Sequence, residues 1–374
     1  MNDKLELPGL VTAHSHAFQR AMRGDAQRAS GATVDDFWSW RTAMYTLADS
    51  LDPQSIYDIS RIAYRELYRA GVRTVGEFHY VHHQPGGVPY DERTVMADQV
   101  IRAARAENLR IGLFRVVYAR AGAGREPEAA QRRFCDPNLD QSLADVEKLE
   151  RTWASDDGVR IGVAAHSVRA VPPAYWRLIA DFAATRRMVF HAHVAEQPAE
   201  IAACLAETGK RPVELLADQG ALGPKFVAVH ATHLELHETF LLGQAGATVC
   251  LCPTTERDLG DGLPNVSALR SAGVRLCAGV DSHVMTDPLE DLRSIELGER
   301  LRTGKRLAVR SDERTPAEEL LHMGTVIGAE ACGFSDSGAF VEVDHEAPEL
   351  QLVRKEHLLD AIIYSGSTRI FRQS

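Results

Sequence analysis

Histidine is the compositional oddity of this 374-residue chain, with 15 copies, and several of them stand where short apolar runs end. His14 and His16 are two residues apart, so on an extended chain they point to one face and can converge on a single ion. His166, the pair His191 and His193, then His230, and finally the carboxylate Asp281 each close a later run. A lone His-x-His is more often a pair of satisfied or exposed histidines. The ordered set His14, His16, His193, His230 and Asp281 is different, because random placement rarely puts all of them at strand ends. Imidazole nitrogens with a carboxylate suit Zn²⁺, and an ion with an open position activates water, so the chemistry indicated is metal-assisted hydrolysis.

The elements that must position these residues follow from the apolar pattern. Strands are expected over residues 10–14, 72–78, 111–117, 161–165, 188–193, 227–230, 248–252 and 276–281. Helices are expected between them, over 53–70, 91–108, 139–153, 173–185, 199–208 and 235–243. Strands that are apolar throughout, rather than alternating, belong to a parallel sheet covered by helices. Eight such strands close a (β/α)8 TIM barrel, whose functional residues sit at the C-terminal strand ends. Beyond Asp281 come helical stretches at 289–303 and 316–327 and a strand-like piece at 339–343. The expected division is a barrel over residues 1–327 and a short C-terminal remnant over 328–374. Residues 122–133 read as a loop or ragged helix start.

Composition excludes other classes. A formal net charge of −10 argues against nucleic-acid binding. With 45% hydrophobic and 25% charged residues the chain matches soluble globular proteins, and no stretch approaches the roughly 20 apolar residues of a membrane span. The N-terminus lacks a basic segment followed by an apolar run, so a cytoplasmic enzyme is expected. Six cysteines are too sparse for a disulfide framework, and Cys250 with Cys252 reads as buried sulfur. His79, His82 and His83 read as loop histidines, solvated or at the site mouth, and His191 as support behind His193. The segment Leu259-Gly260-Asp261-Gly262 reads as a turn.

Several segments carry a resemblance: Leu7-Pro8-Gly9, His14-Ser15-His16-Ala17-Phe18-Gln19-Arg20-Ala21-Met22, Phe37-Trp38-Ser39-Trp40-Arg41, Glu77-Phe78-His79-Tyr80, His193-Val194-Ala195-Glu196-Gln197, Leu259-Gly260-Asp261-Gly262 and Asp281-Ser282-His283-Val284. From about residue 7 to 305 the chain resembles the N-formimino-L-glutamate deiminases of the metal-dependent amidohydrolase superfamily. That resemblance implies one divalent ion, zinc, on His14, His16, His193 and Asp281. Two-metal relatives usually carry a bridging carboxylated Lys, and residues 111–119 and 161–170 contain no Lys, so a second ion is not expected. It further implies Glu196 as the proton carrier to the leaving nitrogen, Asp281 as acceptor of the water proton, and His230 as the group orienting the attack. A small dicarboxylate substrate would be held by Gln19, Arg41, Tyr80, His166 and Arg169. The implied reaction is deimination of N-formimino-L-glutamate to N-formyl-L-glutamate and ammonia, a step of histidine degradation. A deaminase of a cyclic amidine of purine or pterin type, and an inactive barrel that only binds, remain as alternatives. The small β-sandwich of the family is expected to be reduced or missing, which leaves a homodimer open.

Overall fold

Ten strands are described in a computed structural model of the chain, which covers residues 5–28 and 37–372: β1 (Leu5–Leu7), β2 (Leu10–Thr12), β3 (Val72–His79), β4 (Arg110–Val117), β5 (Val159–Ala165), β6 (Phe190–Val194), β7 (Phe226–His230), β8 (Thr248–Leu251), β9 (Arg275–Ala278) and β10 (Val341–Val343). Residues 1–4, where a leader was sought, lie outside these. Strands β2 to β9 form one eight-stranded parallel sheet in consecutive order. The sheet closes through a parallel bridge between Ser15 and Asp281. At that seam Asp281 N–H donates to the His14 carbonyl (3.0 Å) and His16 N–H to the Asp281 carbonyl (2.9 Å). Closing the barrel therefore sets three of the expected metal donors side by side. Two of the expected runs leave the ladder early, at Thr12 and Ala278, so these donors stand just past the strand ends.

The surrounding helices form where apolar periodicity and caps agree. In Pro53–Arg69 the buried Ile56, Ala63, Tyr64 and Leu67 share one face. Asp52 accepts from the Ser55 amide (2.7 Å) and the Ser55 hydroxyl accepts from Asp52 N–H (2.8 Å), with Pro53 leading the first turn. The helices Leu139–Trp153 and Pro288–Thr303 begin on Asn138 and Asp287 caps in the same way. The helix expected over 91–108 starts only at Val95, because Thr94 turns back onto Glu92 (3.0 Å) while bonding Asp98 (2.8 Å). Helices Pro212–Asp218, Pro253–Leu259 and Val266–Ser271 were not foreseen; each is too short to show periodicity. No described helix is long and apolar enough to cross a membrane.

The end of the chain seals the barrel floor. The helix expected over 316–327 runs on from Pro316–His322 through a π turn, Met323–Ile327, into Gly328–Ala331, so the expected boundary at 327 falls inside a helix. The Ala331 carbonyl accepts from the His191 ring (2.8 Å), which stacks on Phe114 (3.7 Å between centroids). His191 thus belongs to the floor and does not support His193, a correction to the reading above. Where a reduced or missing sandwich was expected, β1 pairs antiparallel with β10 among the described residues, Leu5 opposite Val343. Helix Leu358–Ser365 lies against Pro288–Thr303 and Pro316–His322 with Ile362 and Ile363 buried. Gly112 of β4 lies so close to the floor that an added Cβ would stand 2.5 Å from the Cys332 carbonyl oxygen. Gly112→Ala is therefore expected to cost about 1–3 kcal/mol of stability while leaving activity per folded molecule unchanged. An unaltered urea midpoint would contradict this.

His79, which ends β3, and His82 and His83 after it also differ from expectation. All are buried, with the His82 ring 2.9 Å from the Val116 carbonyl and the His83 ring 3.0 Å from Asp136. Beneath them the buried Arg115 pairs with Asp136 (2.7 Å) and Asp145 (2.9 Å). Charges this deep persist only when paired, so the loop is a packed part of the barrel wall.

Candidate active site and metal centre

His14, His16, His193 and Asp281 converge at the C-terminal mouth, all four buried. His14 Nε2 is 3.2 Å from both His16 Nε2 and His193 Nε2, and Asp281 Oδ1 is 3.5 Å from His14 and 3.3 Å from His16. Donors about 2.0–2.1 Å from a tetrahedral ion stand about 3.3–3.4 Å apart, so the spacing suits one zinc-sized ion. Tautomers agree. His16 Nδ1 lies 2.9 Å from the Phe78 carbonyl and His193 Nδ1 lies 3.1 Å from the His166 carbonyl. A carbonyl only accepts, so each Nδ1 carries the hydrogen and each Nε2 turns a bare lone pair inward. Bare lone pairs this close repel unless a cation stands between them. Burial pushes the His16 imidazolium down to about 3, which keeps it in the neutral, ligating form. Burial opposes the charge of Asp281, but bonding to His14 and the neighbouring rings hold its carboxyl below the usual range.

The residue between the two histidines ties them to the wall. Ser15 Oγ lies 2.6 Å from Glu77 Oε2 and 2.8 Å from His283 Nε2, and Glu77 Oε1 accepts from Ala17 N–H (2.9 Å). Burial lifts the Glu77 carboxyl to about 7. Ala195, His230, Ala231, Asp281 and His283 all hold positive φ, between 51° and 69°. Side chains rarely adopt that region, and its concentration at the mouth marks backbone bent to aim functional groups.

A cleft opens above the metal donors. His16, Gln19, Arg41, Tyr80, His166, Arg169, His193, Glu196, His230 and Asp281 all line it, so the structure brings together every expected site residue except His14, which lies beneath. Aromatic rings of Phe37, Trp38, Trp40, Tyr45 and Tyr118 complete the wall, the first four from helix Phe37–Ser50. Gln19 donates to the Tyr80 hydroxyl (2.8 Å), and Arg169 reaches the Tyr118 hydroxyl (3.4 Å). The Arg41 guanidinium lies 4.5 Å over the Trp38 ring. Neither guanidinium forms an ion pair with a described residue, and both present charge to the cleft.

The cleft also holds anionic groups. His230 Nε2 stands 3.7 Å from both Glu196 Oε1 and Asp281 Oδ2. Burial opposes the His230 charge, but Glu196, Glu256 and Asp281 outweigh it and hold the imidazolium up to about 10. Burial raises the Glu196 carboxyl, with His230 working against that rise.

Sequence reasoning missed three members of this environment. Tyr118 directly follows β4, where the strand-end rule applies as it did for His166. Glu256, in the first turn after Cys252, places Oε1 3.3 Å from His230 Nδ1. Asp261, read first as part of a turn and only through the resemblance as a site wall, is buried, bonds Gln197 and clusters with Glu196 and His230; burial and then Glu196 push it up to about 8. No periodicity signals these last two.

Comparisons with known proteins agree with the geometry. Residues 6–344 match the model of the amidohydrolase family. The chain is 35% identical, over 98% of its length and 82% of the relative's, to formimidoylglutamate deiminase of Pseudomonas aeruginosa. It is 29% identical to 8-oxoguanine deaminase of the same species, over 96% of this chain and 76% of that one. An amidohydrolase structure from Brucella melitensis superposes with a TM-score of 0.88 at 32% identity, covering 98% of this chain and 84% of that one. With its parallel barrel and its three-histidine, one-aspartate centre, this chain belongs to the amidohydrolase family, hydrolases of C–N bonds.

Proposed function

We propose that the protein hydrolyses the C=N bond of N-formimino-L-glutamate, releasing ammonia and N-formyl-L-glutamate. The observation that carries this reading is the polarity of one cleft, whose lining brings Arg41 and Arg169 together with Glu196, His230 and Asp281. A substrate with two carboxylates and an amidine end matches that polarity; a neutral ring does not need the guanidinium pair.

His14, His16, His193 and Asp281 would hold one divalent ion, zinc by the nature of the donors, and when bound it makes water nucleophilic near neutral pH. The chain's own groups do the rest. Arg41, Arg169, Gln19, Tyr80 and His166 hold the carboxylates and place the formimino carbon over the donors. The oxygen of water adds to that carbon while Asp281 takes up the proton released. His230 Nε2, between Glu196 and Asp281, orients the attack and faces the developing charge. Glu196 carries a proton to the terminal nitrogen, the C–N bond breaks, ammonia departs, and the carbonyl of the N-formyl product remains.

A second reading, deamination of a purine-like ring, is supported by the aromatic wall, which could stack such a ring, and by the likeness to 8-oxoguanine deaminase. Arg169→Met separates the two. Charge-assisted hydrogen bonds contribute about 1.5–3 kcal/mol, so KM for N-formimino-L-glutamate is expected to rise about 10- to 100-fold with a smaller change in kcat. Steady-state ammonia release measures this, and an unchanged KM would move the assignment to the ring substrate.

A further inference from the structure

Glu256 is absent from the roles above, yet its carboxylate stands directly against the His230 ring. His230 ends β7 with φ of 69°, followed by Ala231 at 53°, so the backbone at this point is bent to turn the ring inward. Its two ring nitrogens then meet different surroundings. Nε2 faces the cleft, 3.7 Å from both Glu196 Oε1 and Asp281 Oδ2. Nδ1 faces away from it, 3.3 Å from Glu256 Oε1. The same oxygen accepts the Cys252 backbone N–H at 2.8 Å, and Glu256 is only 2% exposed, so the carboxylate is fixed from two directions. It sits in the first turn of helix Pro253–Leu259, and the Glu256 carbonyl in turn accepts from Asp261 N–H (2.9 Å), which locks the turn carrying it. Among the described residues Glu256 does not line the cleft, whereas its neighbour Thr255 does.

We infer that Glu256 is a positioning residue for the deimination, acting through His230: it binds the Nδ1 hydrogen, fixes the ring plane, and leaves Nε2 as the working nitrogen. The inference rests on the reading that His230 acts at the reacting centre. The physics is that of any carboxylate behind an imidazole. A fixed acceptor that takes one N–H holds the ring plane and sets which nitrogen faces the substrate. Without Glu256 the ring can turn out of that plane.

The test is a cycle of Glu256→Ala, Glu256→Gln, His230→Ala and the Glu256→Ala/His230→Ala double variant, each with kcat, KM, metal content and thermal midpoint. Glu256→Ala is expected to lower kcat about 10²- to 10³-fold, with KM within about threefold and metal content unchanged. Glu256→Gln, whose amide oxygen still accepts from Nδ1, is expected to regain part of that loss. In the His230→Ala background, Glu256→Ala is expected to cause no further loss. Equal losses with and without His230, or a Glu256→Gln variant that sheds metal or folds poorly, would reduce Glu256 to a structural group and overturn the inference. Full activity of Glu256→Ala beside an inactive His230→Ala would overturn it while leaving the role of His230 intact. Full activity of His230→Ala would instead overturn the role of His230 itself, and the inference with it.

Discussion

Replacing His193 with alanine is expected to cost the protein both its metal and its turnover. His193 Nε2 stands 3.2 Å from His14 Nε2 and its ring is held through Nδ1 by the His166 carbonyl, so its removal takes away one of four oriented donors. Four-donor zinc sites bind with roughly 10–16 kcal/mol, so losing one donor in four costs about 3–4 kcal/mol, or about 10²- to 10³-fold in affinity. The hole lies at the cleft surface rather than in the packed floor, so the barrel itself should persist. Metal per chain after dialysis, thermal unfolding and ammonia release on one sample decide the matter. A variant that keeps its full metal content would remove His193 from the ligand set.

Glu196→Gln is expected to separate chemistry from metal binding. Glu196 lies at the bend after β6, with Ala195 at a φ of 51°, and its Oε1 faces His230 rather than the metal donors. Glutamine matches its shape but cannot carry a proton. General acid–base groups contribute about 10²- to 10⁴-fold, so kcat is expected to fall by that factor with metal content unchanged. A better leaving group than ammonia on the same formimino carbon should recover part of the loss, because it departs with less protonation. If kcat fell equally for both leaving groups, Glu196 would be a binding group and the proton would come from elsewhere.

Much of this is legible in the sequence, for reasons that are local. A strand buried on both faces must be apolar throughout, so the eight runs announced a parallel barrel, and strand-end chemistry then selected His14, His16, His193, His230 and Asp281. What escaped depended on height, partner or orientation. His191 shares its strand face with His193, but alternation gives the face and not the depth, and two residues down the strand it reaches the floor at Ala331. His83 looked solvated because its partner Asp136 lies 53 residues away and the buried Arg115 beneath both arrives on another strand. Glu256 and Asp261 sit in a short helix and a turn whose direction is set by packing after β8. The tail looked like a remnant because residues 328–334 carry no amphipathic period, yet they close the barrel against Gly112.

The central claim is that one cleft joins a hydrolytic metal centre to a dicarboxylate grip. The most direct test is kcat/KM for ammonia release from N-formimino-L-glutamate and from 8-oxoguanine, on one metal-quantified preparation, with N-formyl-L-glutamate identified as the co-product. The account predicts one equivalent each of ammonia and N-formyl-L-glutamate, and a preference over 8-oxoguanine of at least about 10³-fold, the scale set by leaving two guanidinium contacts unmade. Faster turnover of 8-oxoguanine, or a fully metallated protein that hydrolyses neither, would contradict it.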